Sequence, residues 1–348
     1  MLDLTTAGIV LAGLGFLYLF LRQRAHFWWV FVGFIFTGPL FLVYASFPHG
    51  NNFLLGTVER FYLVPYLFLF LAVSVGVVAL EKAVFSLFQR LHIHLRISVA
   101  ILFLLYPILL LVINFPKFES LKLDMTAEHV AQDVLGTPMP HSLLLLSEDT
   151  RLFNSQYLYY QKPKNYPFII VHFGVLPFSW YREWFARNHP DIVIPPTDTK
   201  EQIFSPFIHA NASAFTIYAD SPYGTSDEYL WVPMGLLFRL EKSTSTLEKD
   251  AYIEENERLF EKYHDPLAGA LGVYKHVMLA DVLRVYGNGN RDVGKAYMKL
   301  GEYELAKKRF AESVRIQSDA VENYIELATS QIMLGQCDPM RKPGVAEV

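Results

Sequence analysis

The sequence predicts a polytopic α-helical membrane region of four spans, followed by a water-soluble α/β domain and a C-terminal region of repeated helical hairpins. Three observations predict this class. Four uncharged apolar stretches lie within residues 1–115. Short apolar runs then alternate with helical patterns over residues 116–245. Residues 246–348 have a helical pattern and contain, at about residues 287–336, an internal repeat with a period of 34 residues.

Composition separates the first region from the rest. Apolar residues make up 52% of the chain and aromatic residues 15%, which is high for a soluble protein. Residues 1–115 carry a net charge of +3, and residues 116–348 carry −7. The negative second region gives no electrostatic footprint for nucleic acid, so no nucleic-acid partner is expected. Cys337 is the only cysteine, which excludes an intrachain disulfide and a cysteine-based metal site.

The four apolar stretches approach the length of about 20 residues that a helix needs to cross a bilayer. None resembles a cleaved signal peptide, because no basic segment precedes the first stretch and another stretch follows almost at once. We therefore expect a lipid bilayer as the partner of this region. The stretches are Leu4–Leu21, Ala25–Pro48, Phe61–Leu80 and Ile97–Phe115.

Lys and Arg are concentrated in two of the connecting loops, and basic loops face the cytoplasm. The N-terminus and the C-terminal domain are therefore predicted on the outer side, with a bacterial inner membrane and a periplasmic domain as the expected location. The loop 47–60 contains Arg60 alone, next to Glu59. The basic residues of the other two loops are Arg22 and Arg24 in the first and Lys82, Arg90 and Arg96 in the second.

Residues 116–245 read as strands joined by helical crossovers. Ser142–Ser147 is a continuous apolar run between serines, as in a strand covered on both faces. Asp149–Tyr160 and Ser179–Asn188 are predicted helices, with Asp149 or Thr150 as the N-cap of the first. This alternation implies a small parallel sheet. The other predicted strands are Phe168–Phe173, Asp191–Ile194, Ala214–Ala219 and Tyr229–Leu240.

From Thr246 onward the pattern is helical, and matching residues recur 34 positions apart, as in Val293 with Leu327. The small and aromatic residues in this region occupy positions of a tetratricopeptide repeat, where small residues let two helices approach and rings fill the adjacent groove. One and a half repeats are visible, so the tail must pack on the preceding helices or on something else, such as a protein partner or acceptor. The predicted packing positions are Gly294, Ala296, Gly301, Tyr303, Ala306, Phe310 and Gly335.

Two places have side chains suited to binding. Glu59 and Arg60 lie at the outer end of the third stretch, where the donor fork of an arginine suits a lipid-linked phosphate. An interfacial anchor whose two charges pair with each other explains them equally well. Asp149 follows the first strand, where open α/β sheets bind ligands, although an ordinary helix cap is the favoured interpretation.

Other polar residues lack the pattern of a site. His172, His189 and His209 do not have the spacing of metal ligands, so neither a metal nor another cofactor is predicted from the residues. Asn211-Ala212-Ser213 matches a glycosylation sequon. The sequence shows no serine–histidine–aspartate elbow and no glycine-rich nucleotide loop.

The segment GTVERFYLVPY (Gly56–Tyr66) resembles polytopic glycosyltransferases of the GT-C type. The chain is most similar to the subgroup related to transmembrane protein O-mannosyltransferases with C-terminal tetratricopeptide repeats. Later segments occur in the order of that subgroup, and the resemblance covers most of Gly56–Gln336. These segments are LLLLSEDTRLFNSQYLYYQ, HPDIVI, EYLWVPMGLLFRLE and the YHDP segment Tyr263–Pro266, followed by the repeats.

The resemblance implies a membrane enzyme that transfers a sugar from a polyprenyl-phosphate donor to a hydroxyl group on the outer face. Such enzymes hold the catalytic acid in the first large outer loop. Here the loop 47–60 offers only Glu59, which belongs to a later element of the family, so no catalytic residue is carried over. The chain resembles the C-terminal half of such an enzyme, incomplete for catalysis alone and expected to need an N-terminal half. A reverse anchor at Leu4–Leu21 is the plainer explanation of an outer N-terminus.

Two functions of different classes therefore remain open. One is the C-terminal portion of a membrane glycosyltransferase. The other is a non-enzymatic, membrane-anchored scaffold whose repeats recruit a protein partner for envelope assembly. Transport is disfavoured because the apolar stretches lack charges.

Overall fold

The computed structural model describes residues 6–46, 56, 58–87, 101, 105, 108–116, 119, 122–161, 166–196, 203–244, 248–268 and 280–336. The described residues are mostly helical, with one five-stranded sheet. The chain divides into two compact units, one of residues 1–123 with 274–280 and one of residues 124–273 with 281–348.

Nearly all of the described residues of the first unit are helical. Its helices are α1 (Thr6–Arg22), α2 (Arg24–Ile35), α3 (Phe41–Ala45) and α4 (Leu63–Leu87). A π-helical turn, Phe36–Leu40, joins α2 to α3, and a 3-10 turn, Arg60–Tyr62, precedes α4. Residues 108–116 are also helical, while most of the predicted stretch Ile97–Phe115 lies outside the described residues.

Among the described residues, two continuous helices are long and apolar enough to cross a membrane, Arg24–Ala45 with 22 residues and Arg60–Val84 with 25. The helix α1 is apolar but shorter, with 17 residues. Large apolar side chains such as Ile9, Trp29 and Val43 are exposed on these helices. A helix that is apolar all round and exposed suits a lipid environment better than water.

The helices α1 and α4 approach so closely that their backbones touch. A Cβ atom added to Gly15 would lie 1.8 Å from the carbonyl oxygen of Ala72, and one added to Gly76 would lie 1.9 Å from that of Leu11. Small residues at four-residue spacing permit this contact, as they do between helices in membranes. Glycine is therefore required at both positions.

Contacts along the helices give their directions. Tyr18 OH accepts a hydrogen bond of 3.1 Å from Lys82 Nζ, beyond the Gly15–Gly76 contact on both helices, so α1 and α4 run parallel. The segment α2–α3 runs antiparallel to α4, because Phe41 packs on Phe61 (5.2 Å between centroids) while Trp29 packs on Phe68 (5.7 Å). The junction of α1 and α2 thus lies at the same end of the bundle as Lys82.

The second unit contains the sheet and the remaining helices. Its strands are β1 (Ser142–Leu146), β2 (Ile169–His172), β3 (Thr216–Ala219), β4 (Tyr229–Met234) and β5 (Leu237–Lys242). Its helices are α5 (Thr126–Leu135), α6 (Asp149–Gln161), α7 (Ser179–Asn188), α8 (Phe204–Asn211), α9 (Lys249–Lys262), α10 (Ala280–Lys299), α11 (Tyr303–Ile316) and α12 (Val321–Met333). A 3-10 turn, Phe173–Val175, follows β2.

The sheet is mixed, so the prediction of a small parallel sheet is correct for β2, β1 and β3 and wrong for the sheet as a whole. The strand order is β2-β1-β3-β5-β4, in which β2, β1 and β3 are parallel and β5 and β4 are antiparallel. The predicted strand Tyr229–Leu240 is two strands of a hairpin, because Gly235 adopts a φ of +58° at the turn. β1 is buried along its whole length, as its apolar run predicted.

The predicted strand at Asp191–Ile194 is also wrong, since these residues form no strand. The side chain of Asn211 replaces a neighbouring strand: its Oδ1 accepts from the backbone N–H of Val193 at 2.9 Å, and its Nδ2 donates to the Val193 carbonyl at 2.8 Å. This satisfies the backbone without a sheet ladder. Because Asn211 is buried with its amide bonded, its sequon is not accessible for glycosylation in this fold.

Candidate functional site

Glu59 and Arg60 lie at the end of the bundle opposite to Lys82. Arg60 begins the 3-10 turn before α4 and is exposed, whereas Glu59 is half-buried. The ring of Phe61 packs on Phe41, the first residue of α3, and fixes this end of the bundle. An exposed arginine where a span-long helix begins can donate two parallel hydrogen bonds to a phosphate group.

A network of polar groups occupies the carboxyl ends of β1 and β3. Asp220 follows β3, and its Oδ2 accepts hydrogen bonds from the backbone N–H groups of Ser147 (2.6 Å) and Glu148 (2.7 Å) after β1. Tyr223 OH donates to Asp220 Oδ1 at 2.7 Å and lies 2.5 Å from Ser147 Oγ. Because β1 lies between β2 and β3, this is the crevice where an open α/β sheet ordinarily binds a ligand.

The carboxylate of Asp220 occupies the place in this crevice where a ligand anion would bind. The two amides that would hold a ligand phosphate after β1 are bound by Asp220, which is itself buried. Burial raises the pKa of Glu148 despite the nearby Arg151, and burial together with Asp220 raises that of Tyr223. Tyr223 therefore stays protonated as a hydrogen-bond donor, and the network holds β1 and β3 together.

Asp149 lies outside this network. It is exposed as the first residue of α6, one position beyond the N-cap predicted for it, and its charge there favours the helix dipole. Its neighbour Thr150 donates from Oγ1 to Asp281 on α10, and Asp281 also accepts from Arg284 at 2.7 Å. This start of α6 therefore anchors α10 rather than opening onto a ligand site.

A second polar cluster, which the sequence did not single out as a site, surrounds Asp133 on α5. His264 donates its backbone N–H to Asp133 Oδ2 at 2.9 Å, and its Nδ1 lies 2.8 Å from Oδ1. Tyr286 OH on α10 donates to Oδ2 at 2.5 Å. The His129 ring stacks on His264 with 4.0 Å between centroids. A carboxylate hydrogen-bonded at Nδ1 fixes the orientation of the imidazole ring, so Asp133 holds His264 in place.

The only sequence signal for this cluster was the YHDP segment, which contains His264. Asp133 is 131 residues away from it, and nothing in its local pattern marks it. The neighbouring Asp265 accepts hydrogen bonds from Arg315 on α11 at 3.0 and 3.2 Å, which lower its pKa although partial burial would raise it. The segment thus joins α5 to α11, while Tyr286 joins α10 to the same Asp133.

The predicted repeat positions lie in the helical part of the second unit. Ala306 and Phe310 are fully buried on α11, and a Cβ atom added to Gly294 on α10 would lie 2.7 Å from the Phe310 ring. Tyr303 begins α11 and is half-buried. Ala296 lines a groove of about 370 Å³ between α10 and β4.

Gly301 and Gly335 end their helices in the same way. Their φ angles are +77° and +66°, in the left-handed region that favours glycine. After each glycine, the next N–H donates to a carbonyl five residues earlier, from Glu302 to Tyr297 and from Gln336 to Gln331, both at 2.9 Å. This pair of Schellman caps recurs at a spacing of 34 residues.

Glu257 and Arg309 join α9 to α11 beneath these helices. Arg309 donates from Nε and Nη2 to the two carboxylate oxygens at 2.8 and 2.5 Å, and its guanidinium lies 4.0 Å from the Phe260 centroid. Burial alone would raise the pKa of Glu257, but the hydrogen bonds from Arg309 and Lys308 lower it. The helical tail therefore packs on α9, as the shortness of the repeat predicted.

Comparison with protein family models, with curated proteins and with solved structures gives no match to this chain. Within the residues that the structure describes, no three His, Cys, Asp or Glu side chains form a group that could hold a metal ion. The functional argument therefore depends on the chain's own geometry.

Proposed function

We propose that this chain is the C-terminal portion of a membrane glycosyltransferase of the O-mannosyltransferase class. It uses a polyprenyl-phosphate sugar as donor, and its outer-side domain and repeats hold the hydroxyl acceptor or stabilise the membrane region. Arg60, with Glu59 beside it, binds the donor phosphate. The resemblance over Gly56–Gln336 supports this function.

The observation that carries the proposal is the position of Arg60. The basic residues that orient the bundle, Arg22, Arg24 and Lys82, lie at the junction of α1 and α2 and beside Tyr18. Arg60 lies at the other end, where α4 begins. By the charge rule that end faces outward, which is the leaflet from which a lipid-linked sugar would be used.

The full topology that we propose has four spans. Arg24–Ala45 and Arg60–Val84 are two of them, α1 is a third, and Ile97–Phe115 is the fourth. The close contact of α1 with α4 supports α1 as a span, since 17 residues lie within the range for a tilted or thin-bilayer helix. The N-terminus and the second unit then lie on the outer side, in the periplasm of a bacterial inner membrane.

We further propose that α10, α11 and α12 are tetratricopeptide-type repeats. The matching caps at Gly301 and Gly335 and the close approach of Gly294 to Phe310 support this assignment. An array of this type presents a surface to extended partners.

A membrane-anchored scaffold is the second candidate function, and one surface favours it. Apolar side chains are exposed along α12: Val321, Tyr324, Ile325, Ile332 and Met333. A helix face of this kind would suit a protein partner.

Donor binding by the chain in nanodiscs separates the two functions. The unaltered protein is expected to bind a polyprenyl-phosphate mannose photoprobe, and Arg60→Ala should weaken binding by about ten- to a hundredfold. That range corresponds to a charge-assisted hydrogen-bond contribution of about 1.5–3 kcal/mol. Arg60→Lys should recover only part of the affinity, because lysine lacks the bidentate fork.

Arg24→Ala is the matched control, since it removes an interfacial arginine from the opposite end of the bundle. It should leave donor affinity unchanged. Equal affinity of Arg60→Ala and the unaltered chain would remove Arg60 from the site. No donor binding by the unaltered chain would favour the scaffold.

A further inference from the structure

Six aromatic side chains are exposed on the two helices of the second unit that precede and follow the edge strand β2. Three project from α6 at positions four and three residues apart, on one helix face. The other three lie on α7 or immediately before it. We call this set the aromatic patch; its members and exposed fractions are Phe153 (54%), Tyr157 (64%), Tyr160 (68%), Phe178 (42%), Trp180 (60%) and Trp184 (43%).

Ring contacts connect the α6 and α7 parts of the patch across the edge strand β2. Phe153 lies 6.2 Å from the ring of His172, at the end of β2, and His172 lies 6.3 Å from Tyr181. Tyr181 in turn lies 5.8 Å from Trp184 and 5.7 Å from Trp180. The two parts of the patch therefore meet at the edge strand β2, through His172 and the buried ring of Tyr181.

The core does not need these six side chains. The opposite faces of the same helices already fill it with Leu152 and Leu158 from α6 and Phe185 from α7, all of them buried. Exposing six large apolar rings to water is unfavourable in free energy, and surfaces that face only water rarely do so. Such a patch therefore marks an interaction surface.

The composition of the patch suits the headgroup region of a bilayer. Tyr and Trp place an apolar ring beside a polar tip, which is why they gather at membrane–water interfaces. Exposed Arg187 lies on the same helix as Trp180 and Trp184 and can reach lipid phosphates. Protein interfaces are also rich in Trp and Tyr, so composition alone does not distinguish a protein partner from a bilayer. The distance of the patch from a bilayer distinguishes them.

The membrane-spanning helices of the same chain keep a bilayer close to the second unit. Two span-long helices precede the second unit, and only eight residues separate Phe115, the last residue of the fourth apolar stretch, from Asp124, the first residue of the unit. The nine Cα–Cα steps from Phe115 to Asp124 reach at most about 30 Å. We propose that the aromatic patch docks on the outer headgroup layer of the bilayer that holds the spans, which rests on the four-span topology proposed above.

Tryptophan quenching in vesicles with brominated lipids tests this on the full chain, which has five tryptophans. The variant Trp28→Phe/Trp29→Phe keeps Trp180 and Trp184 as patch reporters. The variant Trp180→Phe/Trp184→Phe keeps Trp28 and Trp29 on α2 as span reporters. Trp231, whose Nε1 donates to the Tyr223 carbonyl, is common to both. Lipids brominated near the headgroup should reduce the patch emission more than lipids brominated near the bilayer centre.

The two reporters separate the inference from the topology. Quenching of both supports the docked patch. Quenching of the span reporter alone overturns the docking and leaves the spans in place, and patch tryptophans that resist both brominated lipid and aqueous acrylamide indicate a protein partner instead. Quenching of neither overturns the topology and the docking together.

Discussion

The stacked pair of His129 and His264 shows how one carboxylate organises several segments. Asp133 fixes His264 through two hydrogen bonds, and the ring of His129 stacks on the ring of His264. Burial and the neighbouring His264 lower the pKa of His129, although Asp133, Glu128 and Asp124 act in the opposite direction. A positive charge on His129 is therefore unfavourable in the folded state.

This arrangement predicts a pH dependence of folding stability. A histidine whose pKa is lowered in the folded state gives stability that is present above its unfolded pKa of about 6.5 and is lost as the pH falls through the folded value. His129→Gln should therefore lose less stability than the unaltered chain between pH 7.5 and 5. Thermal unfolding midpoints in detergent at several pH values measure this.

A matched control is His209→Gln, because His209 pairs with Glu228 on the surface, away from the stack. It should not reproduce the reduced pH slope of His129→Gln. Equal slopes in His129→Gln and the unaltered chain would mean that His129 is not the group responsible.

Sequence reasoning located side chains well where local pattern decides their place and poorly where distant contacts decide it. Phe310 is buried on α11, whereas Gly301 and Gly335, predicted as packing positions, end helices and have no atom within 4 Å of an added Cβ. Asp133 could not be found, because its partners are remote in the chain and its helix pattern is ordinary. Asp149 was singled out for its place after β1, yet Asp220, far along the chain, fills the crevice.

At the scale of elements, the same distinction separates correct strands from wrong ones. The run of four leucines in β1 requires burial on both faces and predicts a central strand. Asp191–Ile194 has a similar apolar pattern, but the side-chain amide of Asn211 forms the hydrogen bonds to the Val193 backbone that a neighbouring strand would otherwise form. A single side-chain amide, invisible to periodicity, decided that element.

The contact of α1 with α4 makes the most direct prediction about an element. Gly15→Ala places a methyl group 1.8 Å from the Ala72 carbonyl oxygen, so the helices must separate. We expect a loss of about 1–3 kcal/mol in the free energy of unfolding, as for overpacked cores. Unfolding by SDS titration in mixed micelles measures it.

Gly13→Ala is the matched control on the same helix, because no atom lies within 4 Å of its added Cβ. It should be neutral or stabilising by up to about 1 kcal/mol, since alanine is the better helix former. If Gly15→Ala behaves like Gly13→Ala, the two helices do not touch at this point.

At the scale of the whole molecule, the helix directions are compatible with the orientation that we propose from the charges. α1 and α4 run parallel and α2–α3 runs against them, so the junction near Arg22 and Arg24 shares an end with Lys82. Six Lys and Arg residues among the first 115 would be weak evidence by themselves. The structure adds that three of them lie at one end of the bundle, as a consistent topology requires.

Cysteine labelling tests that orientation, and the single native cysteine makes it clean. Gln23→Cys marks the junction of α1 and α2, and Ser46→Cys marks the residue after α3, each in a Cys337→Ser background. A maleimide that cannot cross membranes should label the Ser46→Cys variant in intact spheroplasts, and the Gln23→Cys variant only after permeabilisation. The unaltered chain, which keeps Cys337, should also be labelled in intact spheroplasts. The reverse pattern would place the second unit and Arg60 in the cytoplasm, and a lipid-linked donor in the outer leaflet could then not reach Arg60.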